Sequence, residues 1–259
     1  MIAAELHDIG INFRAIAISG AALFYRAGDS TVISAEHARY LYAQLGIRSF
    51  LDLRSRAEVL CYGAPAHLIA AGIRWVRAPL TGYSNRFIQS RAPDARAYFQ
   101  YYQDILEQAH RRLPRIFRLL AHLSEQPFML GCHFGKDRTG IVTACLMHLL
   151  GFSNDEIIRD YSATARELLL RADHFQDKWL KRGHTKQEYL ARLEAKAETM
   201  QLTLMWIEDR YGGIEPMLLG MGVNARDLLT LRSNLLERQT LAALPMIPVP
   251  NVRQERGLA

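Results

Sequence analysis

Cys132, Lys136, Asp137 and Arg138 fall within seven residues of PFMLGCHFGKDRTGIVTACLMHLLG (127–151), between two apolar runs. A thiol, a carboxylate and two cations in so short a space suggest chemistry on an anion. The first apolar run reads as a strand ending at Leu130, which delivers Cys132 to the C-terminal edge of a sheet, the usual ligand crevice of open α/β folds. The second reads as a helix beginning near Thr139, with its N-terminus aimed back at that edge. Successive backbone N–H groups from His133 through Phe134, Gly135, Lys136 and Asp137 to Arg138 can then curl into an anion-binding nest backed by the helix dipole. Gly135 permits a backbone conformation that other residues resist. Such a cradle favours the Cys132 thiolate, the nucleophilic form of the side chain. Arg138 follows after five intervening residues, and its planar guanidinium can hold two phosphoryl oxygens in a fork that lysine cannot copy. Nucleophile, cradle and fork together specify phosphoryl transfer to sulfur: Cys132 attacks phosphorus, and water hydrolyses the phosphocysteine.

The elements that must position this loop can be read along the chain. Residues 15–26 suggest one or two short strands broken by Gly20, and 34–45 a helix stopped at Gly46. IRSFLDLR (47–54) reads as a buried strand that emerges at a site, and IRWVRAPL (73–80) as another. The pattern is helical from Asp94 to about Ser124, with Pro114 marking a break or a start, and again over 153–171, about 185–209 and 224–238. The expected fold is therefore α/β. It has a central, mostly parallel sheet of about four to five strands flanked by helices, and a helix-rich C-terminal half. A single domain over 1–240 and an extended tail over 241–259, which holds three prolines, are expected.

Composition sets limits. The 259 residues are 49% hydrophobic and 22% charged, with a net charge of +6, which suits a globular enzyme and an anionic ligand. No dense basic block with interleaved aromatics appears, so no nucleic-acid partner is expected. The three cysteines form no CxxC pair, which fits a reducing, cytoplasmic setting better than a disulfide framework. The N-terminus lacks a basic, then apolar leader, and the longest apolar run, around 141–152, is too short to span a bilayer. His37, His67 and His110 show no ligand spacing. No metal or organic cofactor is called for, since Arg138 and the loop amides supply the charge stabilisation.

CHFGKDRTG resembles the signature loop of the cysteine-dependent protein tyrosine phosphatases, HC-x2-GKDRTG, and within them the bacterial and fungal branch with dual protein and phosphoinositide specificity. NFR (Asn12–Arg14), LFYRAG (Leu23–Gly28), LGIRSFLDLRSRAE (Leu45–Glu58), GFSNDEIIRDY (Gly151–Tyr161) and YGG (Tyr211–Gly213) are also similar to segments of that branch. The resemblance implies a tyrosine-phosphatase-like fold, a phosphorylated substrate, Cys132 as nucleophile and Arg138 as phosphate clamp. It further implies that Thr139 bonds the leaving thiolate and that Lys136 adds positive charge at the rim. A helical lid over 162–185 is implied as well; patterning alone equally suits an amphipathic surface helix.

A proton donor for the leaving oxygen is harder to read. The segment RAPLTGYSNRF, where conventional members carry a loop aspartate, has no acid. Asp137 is the first candidate, and the resemblance points the same way. Asp52 is the second, with an ion pair to Arg54 or Arg138 as its competing role. Asp94 is a third and better suited to capping a helix. Arg54 and Glu58 read as supports beneath the loop, and Asp160-Tyr161 as a further brace.

One position departs from the pattern. Gly131 stands where the resemblance implies a histidine that orders the loop and favours the thiolate, and a histidine, His133, follows the cysteine instead. Three outcomes stay open: the amides and Arg138 suffice, His133 compensates, or the protein is a weakened or repurposed member. Two substrate classes are consistent with the loop, phosphoproteins or phosphoinositides on one side and a small phosphorylated metabolite on the other. A phosphate-binding module without turnover is the remaining alternative.

Overall fold

Arg14–Ile18 (β1) and Ala21–Ala27 (β2) form an antiparallel hairpin. Its two-residue turn, Ser19 and Gly20, has φ of 50° and 83°, the left-handed pair that suits the strand twist. Three short strands follow, the buried Ser49–Asp52 (β3) and Phe128–Gly131 (β5) and the partly exposed edge strand Arg74–Arg77 (β4). They add to β2 in parallel, and the sheet order is β1-β2-β5-β3-β4. The computed structural model describes residues 8–80, 93–181 and 183–243.

Alternation along the strands divides the core. Phe24, Leu51, Phe128 and Leu130 face one side. There they meet Ala95–Gln108 (α4), Leu113–Leu123 (α5), Asp137–Leu149 (α6), Asn154–Leu170 (α7), Ala197–Tyr211 (α10), Ile214–Gly220 (α11) and Ala225–Ala243 (α12). Tyr25, Ala27, Phe50 and Met129 face the other side, against Ala35–Ala43 (α1) and Ala66–Ala70 (α3). Between the last two strands of the parallel set runs Arg56–Tyr62 (α2), opened by a capping box in which Ser55 and Glu58 bond each other's backbone N–H.

A third apolar cluster sits over the loop that follows β5. Leu168, Ala172, Phe175 and Trp179 pack with Tyr189, Leu193 and Ile11, and Phe134 of the loop leans on them. The chain builds this cover from the end of α7, a 3-10 turn at Ala172–Phe175, Gln176–Lys181 (α8) and Lys186–Leu193 (α9). The segment 162–185 is thus not one helix: its first nine residues complete α7, and the rest is broken into short pieces.

Other boundaries moved for local reasons. Pro114 occupies the first turn of α5, where a missing N–H costs nothing, so 94–124 forms two helices. The charged stretch 185–209 is interrupted at Glu194 to Lys196, with Glu194 and Lys196 in extended backbone. Helix α12 runs to Ala243, three residues into the stretch expected as tail. The rest of that tail, and RAPLTGYSNRF beyond Leu80, lie outside the described residues. Among the described residues no helix is long and apolar enough to cross a membrane.

Candidate active site

The loop from Cys132 to Lys136 is held by its carbonyls. Asn12, fully buried with φ of 53°, donates from Nδ2 to the carbonyls of Phe134 (3.2 Å) and Gly135 (2.8 Å). Arg26 is also fully buried and donates from Nη2 to Gly135 O at 2.6 Å. Asp160 of α7 fixes that arginine and bonds Arg14 Nε at 2.7 Å. Burial alone would raise the Asp160 carboxyl, but the charges of Arg26 and Arg14 outweigh it and hold it below the ordinary carboxylate range.

In a trans peptide the C=O and the following N–H point in opposite directions. Carbonyls 134 and 135 pulled toward Asn12 and Arg26 therefore turn the amides of Gly135 and Lys136 the other way. Among the described residues, the N–H groups of His133, Gly135 and Lys136 donate to no loop or turn carbonyl. Gly135 has φ of 64°, and a Cβ on it would stand 2.5 Å from Ala27 O, so only glycine fits there. The following helix α6 starts at Asp137, two residues earlier than expected, so Asp137 and Arg138 ride on its first turn. The result is an amide nest at a helix N-terminus beside Cys132, which is only 2% exposed.

Arg138 is braced from α2. Its Nη1 and Nη2 donate to Glu58 Oε2 and Oε1 at 2.7 and 2.6 Å, and Nη1 lies 3.4 Å from Leu53 O. Burial would raise the Glu58 carboxyl, but Arg138's hydrogen bonds and charge bring it down to about 2. Because this folded value lies below the ordinary 4.5, Glu58 stabilises the fold fully above about pH 4.5, and that contribution fades as pH falls toward 2. We expect Glu58→Gln to remove on the order of 2–3 kcal/mol of the stability lost over that interval. Urea midpoints at pH 6 and pH 3 would check this: the variant should show the smaller difference, and an equal difference would contradict it.

Asp52 is fully buried and both its oxygens are occupied. It accepts from Arg54 N (2.9 Å), Nε (3.0 and 3.1 Å) and Nη2 (2.8 Å), and from Trp75 Nε1 (3.0 Å). Its ion pair is with Arg54, and this arrangement suits a strut rather than a proton donor. Asp94 caps α4, accepting from Ala97 N at 2.8 Å.

Gly131 has a packing reason. A Cβ there would lie 2.8 Å from Ala27 O of the neighbouring strand and 3.1 Å from the Phe50 ring. The strands approach too closely for any side chain at this position. Gly131→Ala should therefore lower stability by about 1–3 kcal/mol, and Gly131→His by more, instead of restoring a lost support. A thermal melt of Gly131→Ala that matches wild type would refute this.

His133 turns away from the cradle. Its ring is buried, stacked on Tyr62 at 4.5 Å between centroids and edge-on to Phe134 and Phe175. Its Nδ1 lies 3.7 Å from Asp29 Oδ2, beyond hydrogen-bond reach. At most its backbone N–H serves an anion.

Lys136 overturns the expected rim charge. It is 1% exposed, with Nζ donating to the carbonyls of Arg192 (2.7 Å) and Glu194 (3.1 Å) and lying 3.8 Å from the centre of the Tyr98 ring. The break between α9 and α10 frees those carbonyls, so Lys136 ties the loop to its cover. Asp137, unlike the fully buried Asp52, keeps partial exposure, 17% of its side chain. Tyr102 Oη donates to its Oδ1 at 2.8 Å, and Lys136 Nζ lies 3.6 Å from the same oxygen. Thr139 is buried, and its hydroxyl has no hydrogen-bond partner among the described residues.

Sequence reasoning overlooked Asn12, Arg14 and Arg26 as supports of the loop and did not notice Tyr102. A signal existed for one of them: an arginine inside the apolar strand LFYRAG must find a buried partner.

The sequence profile of a family described as "Tyrosine phosphatase family" matches residues 20–237. A tyrosine-protein phosphatase of Nostoc commune is 26% identical over 213 residues, covering 74% of this chain and 67% of that protein. Among solved structures, the core catalytic domain of the PP-IP phosphatase SIW14 from S. cerevisiae, in complex with citrate, is 20% identical. It covers 60% of this chain and 76% of its own, with a TM-score of 0.34. A second structure of the Siw14 catalytic core is 17% identical and covers 82% and 92%, with a TM-score of 0.42.

Proposed function

The chain belongs to the tyrosine phosphatase family and is a cysteine-based phosphatase, and from that premise we propose that it hydrolyses phosphate monoesters through a phosphocysteine on Cys132. The observation that carries this reading is the set of amides at His133, Gly135 and Lys136. The carbonyl sides of the Gly135 and Lys136 amides are anchored by Asn12 and Arg26, and all three amides donate to no loop or turn carbonyl among the described residues beside a buried thiol. An unpaired backbone donor away from water is costly, so such a loop implies an anionic occupant.

The steps follow from the chain's own groups. The amides and Arg138 bind the phosphoryl oxygens and stabilise the charge that develops on them. Cys132 attacks phosphorus as a thiolate, and the ester oxygen leaves. Asp137 protonates that oxygen: it keeps a partly exposed face on the first turn beside the thiol, whereas Asp52 is fully buried and Asp94 caps α4. In the second step Asp137 takes a proton from water, which attacks the phosphocysteine. The Thr139 hydroxyl, which has no other partner among the described residues, donates to the departing thiolate.

The thiol is 2% and Arg138 8% exposed, so the phosphoryl group must reach inward on a long arm. An aryl phosphate does so better than a short seryl ester, which favours phosphotyrosyl proteins, with phosphoinositides as the next class. Three unpaired cysteines, one of them this nucleophile, fit a cytoplasmic setting.

Asp137→Asn tests the scheme. Loss of a general acid should cost about 10²- to 10⁴-fold in kcat on phenyl phosphate, whose leaving group is poor, and far less on p-nitrophenyl phosphate. Equal losses on the two esters would remove Asp137 from the proposed role.

A further inference from the structure

We propose that Tyr102, backed by Tyr161, is the positioning residue for the Asp137 carboxyl and decides which of its oxygens carries the transferable proton. This rests on the phosphatase reading above. Tyr102 of α4 and Tyr161 of α7 are buried, and their hydroxyls lie 2.7 Å apart. Tyr102 also donates to Asp137 Oδ1 at 2.8 Å. A phenol has one proton to give, so while Tyr102 gives its own to Asp137, Tyr161 must donate to Tyr102. The hydrogen bonds then run in one direction, from α7 through α4 to the first turn of α6.

The ammonium of Lys136 approaches the same Oδ1, at 3.6 Å. Both favourable contacts therefore fall on one oxygen, and among the described residues no hydrogen bond reaches Oδ2. A carboxyl held this way keeps Oδ1 as acceptor and carries its proton on Oδ2, the oxygen available to a leaving group. Burial, followed by the Asp137 charge, raises the Tyr102 phenol well above its ordinary value, so it stays a donor throughout the working range. Burial likewise raises Tyr161.

Burial also brings the Lys136 ammonium down to about 8, so above that pH the Tyr102 bond alone holds Oδ1. The groups facing Asp137 are Tyr102 from α4, Tyr161 from α7 and Lys136 from the loop. Tyr98 of α4 stands under Lys136 and contributes no charge while it is protonated, its phenol being raised by burial.

The test is Tyr102→Phe, with Tyr161→Phe beside it, read in two ways. The Asp137 carboxyl ¹³C resonance, assigned by Asp137→Asn and read at one fixed pH, should move in Tyr102→Phe and move less in Tyr161→Phe. Turnover of phenyl phosphate should fall about tenfold and that of p-nitrophenyl phosphate about twofold or less. An unchanged Asp137 resonance, or equal losses on both esters, overturns the proposal. The resonance needs no turnover, so it decides the tyrosine contact even if wild type proves inactive, the result that would instead defeat the phosphatase reading. Tyr161→Phe guards against a fold defect, because it leaves the Tyr102–Asp137 bond in place.

Discussion

Serine at position 132 will lower turnover of p-nitrophenyl phosphate by on the order of 10⁵-fold or more, as loss of a covalent nucleophile does elsewhere. The reason lies in the loop and not in the volume of the side chain. Amides 133, 135 and 136 and the first turn of α6 stabilise negative charge on the group they cradle, and sulfur is intrinsically the stronger nucleophile, so a serine hydroxyl cannot replace it. The same amides and Arg138 remain in Cys132→Ser, so tungstate or phosphate should still bind, measurable by calorimetry. Retained binding with lost turnover separates loss of the nucleophile from collapse of the cradle. Turnover within tenfold of wild type would exclude Cys132 from the chemistry.

Arg138→Lys should cost about 10²- to 10³-fold in kcat/KM, comparable to deleting one strong donor from a preorganised oxyanion site. Glu58 and Leu53 engage the guanidinium through three contacts, which fix its plane against α2. A lysine keeps the charge and loses both the plane and the paired donors. Since the charge is retained, the loss should appear more in kcat than in KM, and Glu58→Gln should reproduce part of it by freeing the plane. If Arg138→Lys stays within a few-fold of wild type, the fork has no part in the transition state.

Much of this site was legible because its chemistry is local. Cys132, Gly135, Asp137 and Arg138 occupy consecutive stretches of one strand–loop–helix unit, and their spacing alone places them around an anion. The α/β alternation and the helix stops at Gly46 and around Pro114 were legible for the same reason. What escaped depends on contacts between distant segments. Arg26 meets Gly135 across 109 positions and Asp160 across 134, and no local pattern announces either. The resemblance implied a rim charge at Lys136, and nothing in Glu194-Ala195-Lys196 marks the helix break that receives its ammonium: there is neither glycine nor proline. Only the fold shows that those residues leave the helix and offer carbonyls to a buried ammonium. Tyr102 reads as an ordinary core aromatic on the apolar face of α4, and its hydroxyl matters only once Asp137 is next to it. Gly131 read as a missing support, whereas the close approach of Ala27 O and Phe50 leaves no room for one.

The central claim is that phosphoryl transfer passes through Cys132, and trapping the intermediate tests it most directly. Enzyme mixed with aryl phosphate, quenched in acid within a turnover and digested, should yield the peptide containing GCHFGK with one phosphoryl group on the cysteine sulfur, by mass spectrometry and by ³¹P shift. A stoichiometric burst of the leaving phenol should accompany it. Wild-type turnover with no phosphoryl group on Cys132, or with the group on another residue such as His133, would contradict the account.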